Sequence, residues 1–157
     1  AKANPLYLSY LKGFREFTPV KAQKTLANAI QIGDPVSYKK AINVLKTFHG
    51  MVEQATEDEL ANASAQADKT GLFCCPHTGV ALAVLIKLLK ATMIRRDEKV
   101  VVISTAHGLK FPEFKISYHE NKLEEVTSHY ANLPVEVSPQ YDAVRTAICR
   151  KLEQMSS

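Results

Sequence analysis

Residues 99–108 read KVVVISTAHG, an apolar, mostly β-branched run that passes directly into a polar turn. A continuous run of this kind is typical of a strand that is covered on both faces of a parallel sheet. The polar side chains of the turn are those of Ser104, Thr105 and His107. Because ligands bind outside the carboxyl ends of parallel strands, this turn is the first place to expect a functional site.

A second polar turn has the same setting. Residues 72–75 read LFCC, a short apolar run, and residues 76–79 read PHTG. If the two apolar runs are neighbouring parallel strands, His77 and Thr78 emerge at the same edge of the sheet as the first turn. Thr78 also lies at the start of a helix, whose unpaired N–H groups favour an anion such as phosphate. The alternative is that Thr78 merely caps that helix.

The two turns offer hydroxyl and imidazole groups. Ser104 and Thr105 can each donate or accept a hydrogen bond to a ring nitrogen or oxygen, and a hydroxyl does not force a proton onto a pyridine nitrogen. His107 can stack on a ligand, act on protons near neutral pH, or pack its ring within the protein. The three cysteines are expected to be small buried apolar residues. The sequence contains no Gly-rich phosphate loop, Ser-centred nucleophile elbow or His pair at metal spacing.

Helical patterns alternate with strand-like runs. Apolar spacing of three and four predicts a helix within residues 37–48, and the spacing of Thr56 and Glu59 predicts that a second helix starts with a capping box. Residues 78–94 are apolar almost all round, which predicts a buried helix. A last helix is expected to start near residues 138–139, a Ser-Pro pair.

Three strand-like runs, residues 51–52, 72–75 and 99–103, lie between these helices. The alternating order predicts an α/β fold in which helices flank a parallel sheet.

At 157 residues the chain is expected to form one domain. Within it we distinguish a packing segment at 1–35, an α/β core at 36–111 and a C-terminal extension with the last helix at 112–157. The packing segment is strongly apolar but interrupted by Gly and Pro. It either packs against another polypeptide or wraps its own domain.

Composition argues against several classes of function. Lys and Arg number 20 against 16 Asp and Glu without a basic stripe, so no nucleic-acid partner is expected. The longest apolar stretch, residues 80–89, is too short to span a membrane. Three cysteines make no disulfide framework, which favours a reducing compartment. The chain begins at Ala1 without a methionine, as a mature or excised portion of a longer product would.

With these residues the chain resembles the C-terminal portion of threonine synthase of the plant type. The stretches that carry the resemblance span most of the chain, and their combined order and spacing are specific. They are residues 3–8 (ANPLYL), 29–36 (AIQIGDPV), 57–68, 76–81 (PHTGVA) and 104–111 (STAHGLKF).

The resemblance implies a pyridoxal-phosphate enzyme of the tryptophan-synthase-like fold (fold type II) that converts O-phosphohomoserine and water to L-threonine and phosphate. It implies that Thr105 hydrogen-bonds the pyridine nitrogen of the cofactor and that Ser104, His107, His77 and Thr78 border the same site. It further implies a homodimer in the chloroplast stroma that S-adenosylmethionine activates.

The resemblance also implies what is missing. The family's Schiff-base lysine, its phosphate loop, most of its substrate contacts and its activator site belong to the N-terminal portion, and Lys110 matches a lysine without the Schiff-base role. We therefore expect no catalytic residue in this chain, no activity of the chain alone, and an apolar surface that the N-terminal portion or another protein covers. The alternative is a catalytically dead scaffold or binding module of the same fold.

Overall fold

The structure is a computed structural model that describes residues 1–156. The regular structure of this part of the chain is helical. Its α-helices are α1 Pro5–Leu11, α2 Tyr38–Thr47, α3 Glu57–Asp68, α4 Pro76–Lys90, α5 Pro112–His119 and α6 Tyr141–Ser156. Two short 3-10 turns, Asn28–Ile30 and Gly108–Lys110, lie between them.

The start of α3 is the capping box predicted from the sequence. The hydroxyl of Thr56 accepts the backbone N–H of Glu59 at 3.1 Å, and the Glu59 carboxylate accepts the backbone N–H of Thr56 at 2.8 Å. Two backbone donors that no helical carbonyl can reach are satisfied in this way. The prediction for α3 is confirmed, as is that of a helix within residues 37–48, where α2 lies.

Helix α4 starts two residues earlier than predicted. Pro76 occupies its first turn, and the sulfur of Cys75 accepts the backbone N–H of Thr78 at 3.4 Å. The fixed φ of proline suits the first helical position, where its missing N–H costs nothing. The alternative that Thr78 caps this helix is therefore wrong, because Cys75 is the cap and Thr78 lies inside the first turn.

The parallel sheet predicted from the sequence is not confirmed. Residues 51–52, 72–75 and 99–103 form no β-strand in the described part of the chain, where one isolated antiparallel bridge joins Cys74 to His107. A strand forms only where a neighbouring strand pairs with its N–H and C=O groups. These runs find no such neighbour among the described residues, so they remain extended or irregular chain.

Among the described residues, the run at 99–103 lacks the neighbours that would cover a central strand. Val101 is 90% exposed and Ile103 is 77% exposed. Burial of β-branched side chains is what stabilises a central strand, and here the face that carries Val101 and Ile103 is uncovered. The sequence pattern of a buried strand is present without the layers that bury it.

The core lies where α3 packs on α4 and where α5 closes one side. Gly79 on α4 permits the close approach, since a Cβ atom there would lie 2.5 Å from the carbonyl oxygen of Leu60 and 3.2 Å from the Cβ of Ser64. Small residues on α3 fill the contact. The buried apolar residues include Leu60, Ala61, Ala63, Ala65, Ala83, Phe114 and Tyr118.

Helix α4 is less buried than its sequence predicts. Its fully buried residues are Pro76, Thr78, Gly79 and Ala83, while the other apolar side chains of the helix keep partial or full exposure. Since α3 covers only one face of the helix, the expectation of a helix buried all round is wrong for the described residues.

Parts of the packing segment at 1–35 wrap the core of this chain. The N-terminal ammonium group of Ala1 donates to the carbonyl of Ala55 at 2.6 Å, and the Glu57 carboxylate accepts the backbone N–H of Leu26 at 2.8 Å. Ala27 is buried, but Leu11 is 63% exposed. The segment therefore wraps its own domain at its ends and leaves apolar side chains uncovered between them.

Candidate functional site

The two polar turns predicted to face one site lie side by side. The backbone N–H of Gly108 donates to the carbonyl of Phe73 at 2.8 Å, and the N–H of Cys75 donates to the carbonyl of Ala106 at 3.2 Å. These bonds hold the turn at residues 104–108 against the start of α4. The structure thus brings the turns together without a parallel sheet.

A cluster of three hydroxyls forms where the turns meet. The Thr78 Oγ1 atom lies 3.3 Å from the Ser104 Oγ atom and accepts the backbone N–H of Thr105 at 3.3 Å. Thr78 is 1% exposed, whereas Ser104 and Thr105 are exposed. A buried hydroxyl therefore holds two exposed residues that are free to meet a ligand.

The sulfur of Cys75 lies beneath this hydroxyl cluster. It is 3.3 Å from Thr78 Oγ1 and 3.7 Å from Thr105 Oγ1, and the residue is fully buried. Burial raises the pKa of the Cys75 thiol, but hydrogen bonds with Thr78 and Thr105 outweigh this effect and lower the pKa to about 6. Cys75 is thus buried, as the interpretation of the cysteines expected, but its thiol releases its proton more readily than an ordinary cysteine.

Cys74, the neighbouring cysteine, fits the apolar interpretation. Burial raises the pKa of its thiol, and its sulfur lies 3.5 Å from the hydroxyl oxygen of Ser64. The two adjacent cysteines thus have opposite chemistry, since the Cys75 side chain caps a helix and the Cys74 side chain packs in the core. The sequence does contain a signal for the cap, because Cys75 lies directly before a proline, the residue favoured at the first position of a helix.

His77 connects the site to the packing segment. Its Nε2 atom accepts the backbone N–H of Ala29 at 3.0 Å, and its ring packs edge-on against Phe111 at 5.2 Å between centroids. Because Nε2 accepts this bond, the proton of the neutral ring lies on Nδ1. His77 therefore holds the turn Asn28–Ile30 against α4.

His107 lies beside the hydroxyl cluster rather than in it. Its Nδ1 atom accepts the backbone N–H of Leu109 at 3.2 Å and so caps the turn Gly108–Lys110. Its ring is tilted against that of Phe73, with centroids 5.6 Å apart. Of the roles left open by the sequence, these contacts favour packing, although the side chain stays exposed.

A buried ion pair missed by the sequence analysis, Lys115–Asp68, contacts the chain leading into the two turns. The ammonium group of Lys115 donates to the carboxylate of Asp68 and, at 2.8 Å, to the hydroxyl of Ser64, and it lies 4.7 Å from the ring centroid of Phe73. Asp68 also accepts the backbone N–H of Cys74 at 3.3 Å. No local sequence pattern predicts this cluster, because its members lie on α3, on α5 and in the chain before α4.

Comparison with known proteins identifies the family to which the chain belongs. The family described as "Pyridoxal-phosphate dependent enzyme" matches residues 1–106. The chain belongs to this family. It is 54% identical over 145 residues to threonine synthase 2, chloroplastic, of Arabidopsis thaliana, an alignment that covers 92% of this chain and 28% of that protein.

Two archaeal threonine synthases are also similar. Identity to that of Methanocaldococcus jannaschii is 36% over 123 residues, covering 78% of this chain and 30% of that protein. Identity to that of Methanosarcina acetivorans is 32% over 148 residues, covering 94% of this chain and 34% of that protein. The chain thus spans 28–34% of the length of these three relatives. The resemblance to threonine synthase found in the sequence is confirmed.

The described residues fit one end of pyridoxal phosphate. Exposed hydroxyls at Ser104 and Thr105 can exchange a hydrogen bond with the nitrogen of a pyridine ring. The start of α4 offers fewer free N–H groups to an anion than the sequence suggested, because Pro76 has none and the N–H of Thr78 is bonded to the Cys75 sulfur. The fit is therefore to the ring of the cofactor and not to its phosphate.

None of the helices within residues 1–156 is both long enough and apolar enough to cross a membrane.

Proposed function

We propose that this chain is one part of a threonine synthase and that it supplies the pyridine-nitrogen side of the pyridoxal phosphate site. The observation that carries the proposal is the exposed side chain of Thr105, whose backbone N–H donates to the Thr78 hydroxyl at the junction of the two turns. The resemblance assigns the ring-nitrogen contact to this same residue. In the complete enzyme, O-phosphohomoserine and water become L-threonine and phosphate.

Pyridoxal phosphate, when bound, supplies an electron sink for the carbon atoms of an amino-acid substrate. The role of this chain is to hold and orient the pyridine ring of the cofactor. Thr105 hydrogen-bonds the ring nitrogen, Ser104 and Thr78 fix the position of Thr105, and His77 and His107 border the site. None of these residues is proposed as catalytic, and the chain alone is proposed to be inactive, because the Schiff-base lysine and the phosphate loop come from the remaining part of the enzyme.

The exposed apolar surface supports a polypeptide partner. Val101 is 90% exposed and Ile103 77%, and with Val100 at 45% they form a continuous apolar run left in water. We propose that the remaining part of the enzyme covers α4 and pairs with residues 99–103, which then form a strand of the parallel sheet of fold type II. The α/β core at 36–111 is thus proposed to be complete only in the intact enzyme.

The remaining properties are proposed from the resemblance to the plant-type family. The intact enzyme is proposed to be a homodimer in the chloroplast stroma, with S-adenosylmethionine as activator bound outside this chain. The name of the Arabidopsis thaliana relative supports the plastid location.

Co-expression tests the proposal. This chain is produced together with the part of Arabidopsis thaliana threonine synthase 2 that it does not match, and the purified complex is mixed with pyridoxal phosphate. We expect a stable complex with a cofactor absorption band and release of phosphate from O-phosphohomoserine, whereas each part alone shows neither. A stable complex that binds no pyridoxal phosphate would contradict the proposal.

A second candidate function is a catalytically dead scaffold or binding module of the same fold. It is favoured by the closed contact of α3, α4 and α5, in which the Lys115–Asp68 ion pair is already buried. A monodisperse chain that unfolds cooperatively and ignores pyridoxal phosphate, with and without the partner polypeptide, would support this alternative over the first.

A further inference from the structure

We propose that Phe73 is a positioning residue for the cofactor site and that Gly108 is the point at which it fixes the turn at residues 104–108. The inference rests on the proposed function, because this turn carries Thr105. It assigns the placement of Thr105 to residues that lie outside the hydroxyl cluster.

The position of Gly108 demands space. Gly108 is buried, and its φ does not lie in the left-handed region, so an alanine could adopt its backbone conformation. A Cβ atom there would lie 2.8 Å and 2.9 Å from two ring carbons of Phe73 and 3.0 Å from the Cε atom of Lys115, whereas atoms in ordinary contact lie 3.4–4 Å apart. The turn therefore approaches Phe73 and Lys115 as closely as a residue without a side chain allows.

The two neighbours of Gly108 are themselves held in place. Lys115 is buried, its ammonium group donates to Asp68 and Ser64, and it lies 4.7 Å from the ring centroid of Phe73. Moving the ammonium group would leave the Asp68 carboxylate without its cation, which is costly for a buried charge. The Phe73 ring also packs against the His107 ring, with centroids 5.6 Å apart. A larger residue at position 108 is therefore expected to displace the turn and not its neighbours.

A displacement at Gly108 reaches Thr105 through the backbone of the turn. The N–H of Gly108 donates to the carbonyl of Phe73 at 2.8 Å, and the N–H of Thr105 donates to the Thr78 hydroxyl at 3.3 Å. The second bond is long, since N–H···O bonds are typically about 2.9–3.0 Å. We expect it to be the first bond lost when the turn moves away from α4.

The first test follows the turn in the chain without cofactor. Hydrogen exchange at the Thr105 amide is measured by NMR in wild type, Gly108→Ala and the double variant Phe73→Leu, Gly108→Ala. We expect exchange about two- to tenfold faster in Gly108→Ala, as for the loss of one hydrogen bond. The double variant should exchange nearly as slowly as wild type, because the new methyl group fills space that the ring has left. The Glu59 amide, which donates to the Thr56 hydroxyl at 3.1 Å, is the internal control.

The second test measures the Kd of the co-expressed complex for pyridoxal phosphate. Gly108→Ala should bind the cofactor up to about tenfold more weakly, and the double variant should recover most of the affinity. The matched control is Tyr118→Phe, which loses hydrogen bonds to Asn62 at 2.7 Å and from Tyr130 at 3.1 Å. This control destabilises the fold without touching Gly108, so we expect its folded complex to bind as wild type.

Phe73→Leu alone decides the question if Gly108→Ala does not fold. It leaves the glycine in place and removes the ring that fixes the turn, so exchange at Thr105 must become faster. Unchanged exchange at Thr105 in the folded variants, or a double variant no better than Gly108→Ala, would overturn this inference and leave the proposed function standing. Equal losses of affinity in Gly108→Ala and Tyr118→Phe would do the same. A wild-type complex that binds no pyridoxal phosphate would overturn the proposed function and this inference with it.

Discussion

The sulfur of Cys75 lies 3.7 Å from the hydroxyl oxygen of Thr105, although the two residues are 30 positions apart in the chain. One belongs to the cap of α4 and the other to the turn that follows the apolar run at 99–103. Their contact shows that the candidate site is a junction of two segments. Changes that separate the segments are therefore expected to affect the site even where they leave its side chains intact.

The lowered pKa of Cys75 makes the stability of the chain depend on pH. With an ordinary pKa of 9.0 and a folded value of about 6, the unfolded thiol takes up a proton at a pH where the folded thiolate does not. The free energy of unfolding therefore decreases as pH falls from 9 to 6, and the contribution of the thiolate is lost below that range.

Urea unfolding of wild type and Cys75→Ala at several pH values checks this prediction. The variant should have a flatter dependence between pH 6 and 9, and Cys149→Ala, which removes an exposed cysteine, should behave as wild type. Parallel curves for wild type and Cys75→Ala would show that the thiol is not ionised in the folded chain.

Removal of the Lys115 ammonium group is expected to destabilise the chain strongly. The Lys115→Met variant leaves the Asp68 carboxylate, whose side chain is only 13% exposed, without its cation. An uncompensated buried charge costs about 3–5 kcal/mol. The midpoint of urea unfolding measures the loss.

The matched control for this pair lies on the surface. Lys12 and Glu16 form an exposed ion pair at 2.8 Å, and Lys12→Met should leave the midpoint of urea unfolding nearly unchanged. The double variant Lys115→Met, Asp68→Leu should recover much of the loss, because neither charge remains buried. Equal effects of Lys115→Met and Lys12→Met would rule out a supporting role for the buried pair.

The contact between α3 and α4 predicts an unfavourable effect of Gly79→Ala. Helix propensity alone would make this change favourable by about 1 kcal/mol. The new Cβ atom, however, would lie 2.5 Å from the carbonyl oxygen of Leu60, so the helices must move apart. We expect a lower melting temperature for Gly79→Ala, and a higher one would show that the helices do not approach so closely.

The sequence predicted local structure better than tertiary structure. The capping box at Thr56 and the helical spacing within residues 37–48 depend on neighbours in the chain, and both helices formed as expected. The run at 99–103 has the composition of a central strand, but strands need partners that are distant in sequence. Pairing therefore could not be decided from the run itself.

The candidate site was predicted in part. The sequence placed Ser104, Thr105 and Thr78 near one another, and the structure joins them through the Thr78 hydroxyl. Cys75 was assigned to the core because a buried cysteine is usually apolar. Only the positions of Thr78 and Thr105 around its sulfur account for the lowered pKa of its thiol, and those positions depend on the fold.

His77 provides a test of how the packing segment is held. In His77→Ala the backbone N–H of Ala29 loses its acceptor, which lies at 3.0 Å in the structure. We expect faster hydrogen exchange at Ala29, measured by mass spectrometry or NMR. The N–H of Val20, which donates to the carbonyl of Gly33 at 2.9 Å within the same segment, serves as internal control and should exchange at an unchanged rate. Equal acceleration at both amides would indicate general loosening instead of a lost local bond.

The central claim is that this chain supplies the ring-nitrogen side of a pyridoxal phosphate site through Thr105. The most direct measurement is the affinity for pyridoxal phosphate of the complex between this chain and the remaining part of Arabidopsis thaliana threonine synthase 2. Wild type, Thr105→Val and Thr146→Val are compared, the last altering an exposed threonine of α6. We predict that wild type and Thr146→Val bind equally and that Thr105→Val binds up to about tenfold more weakly, as expected for one lost hydrogen bond. A wild-type complex that binds no pyridoxal phosphate, or a Thr105→Val complex that binds it as tightly as wild type, would contradict the claim.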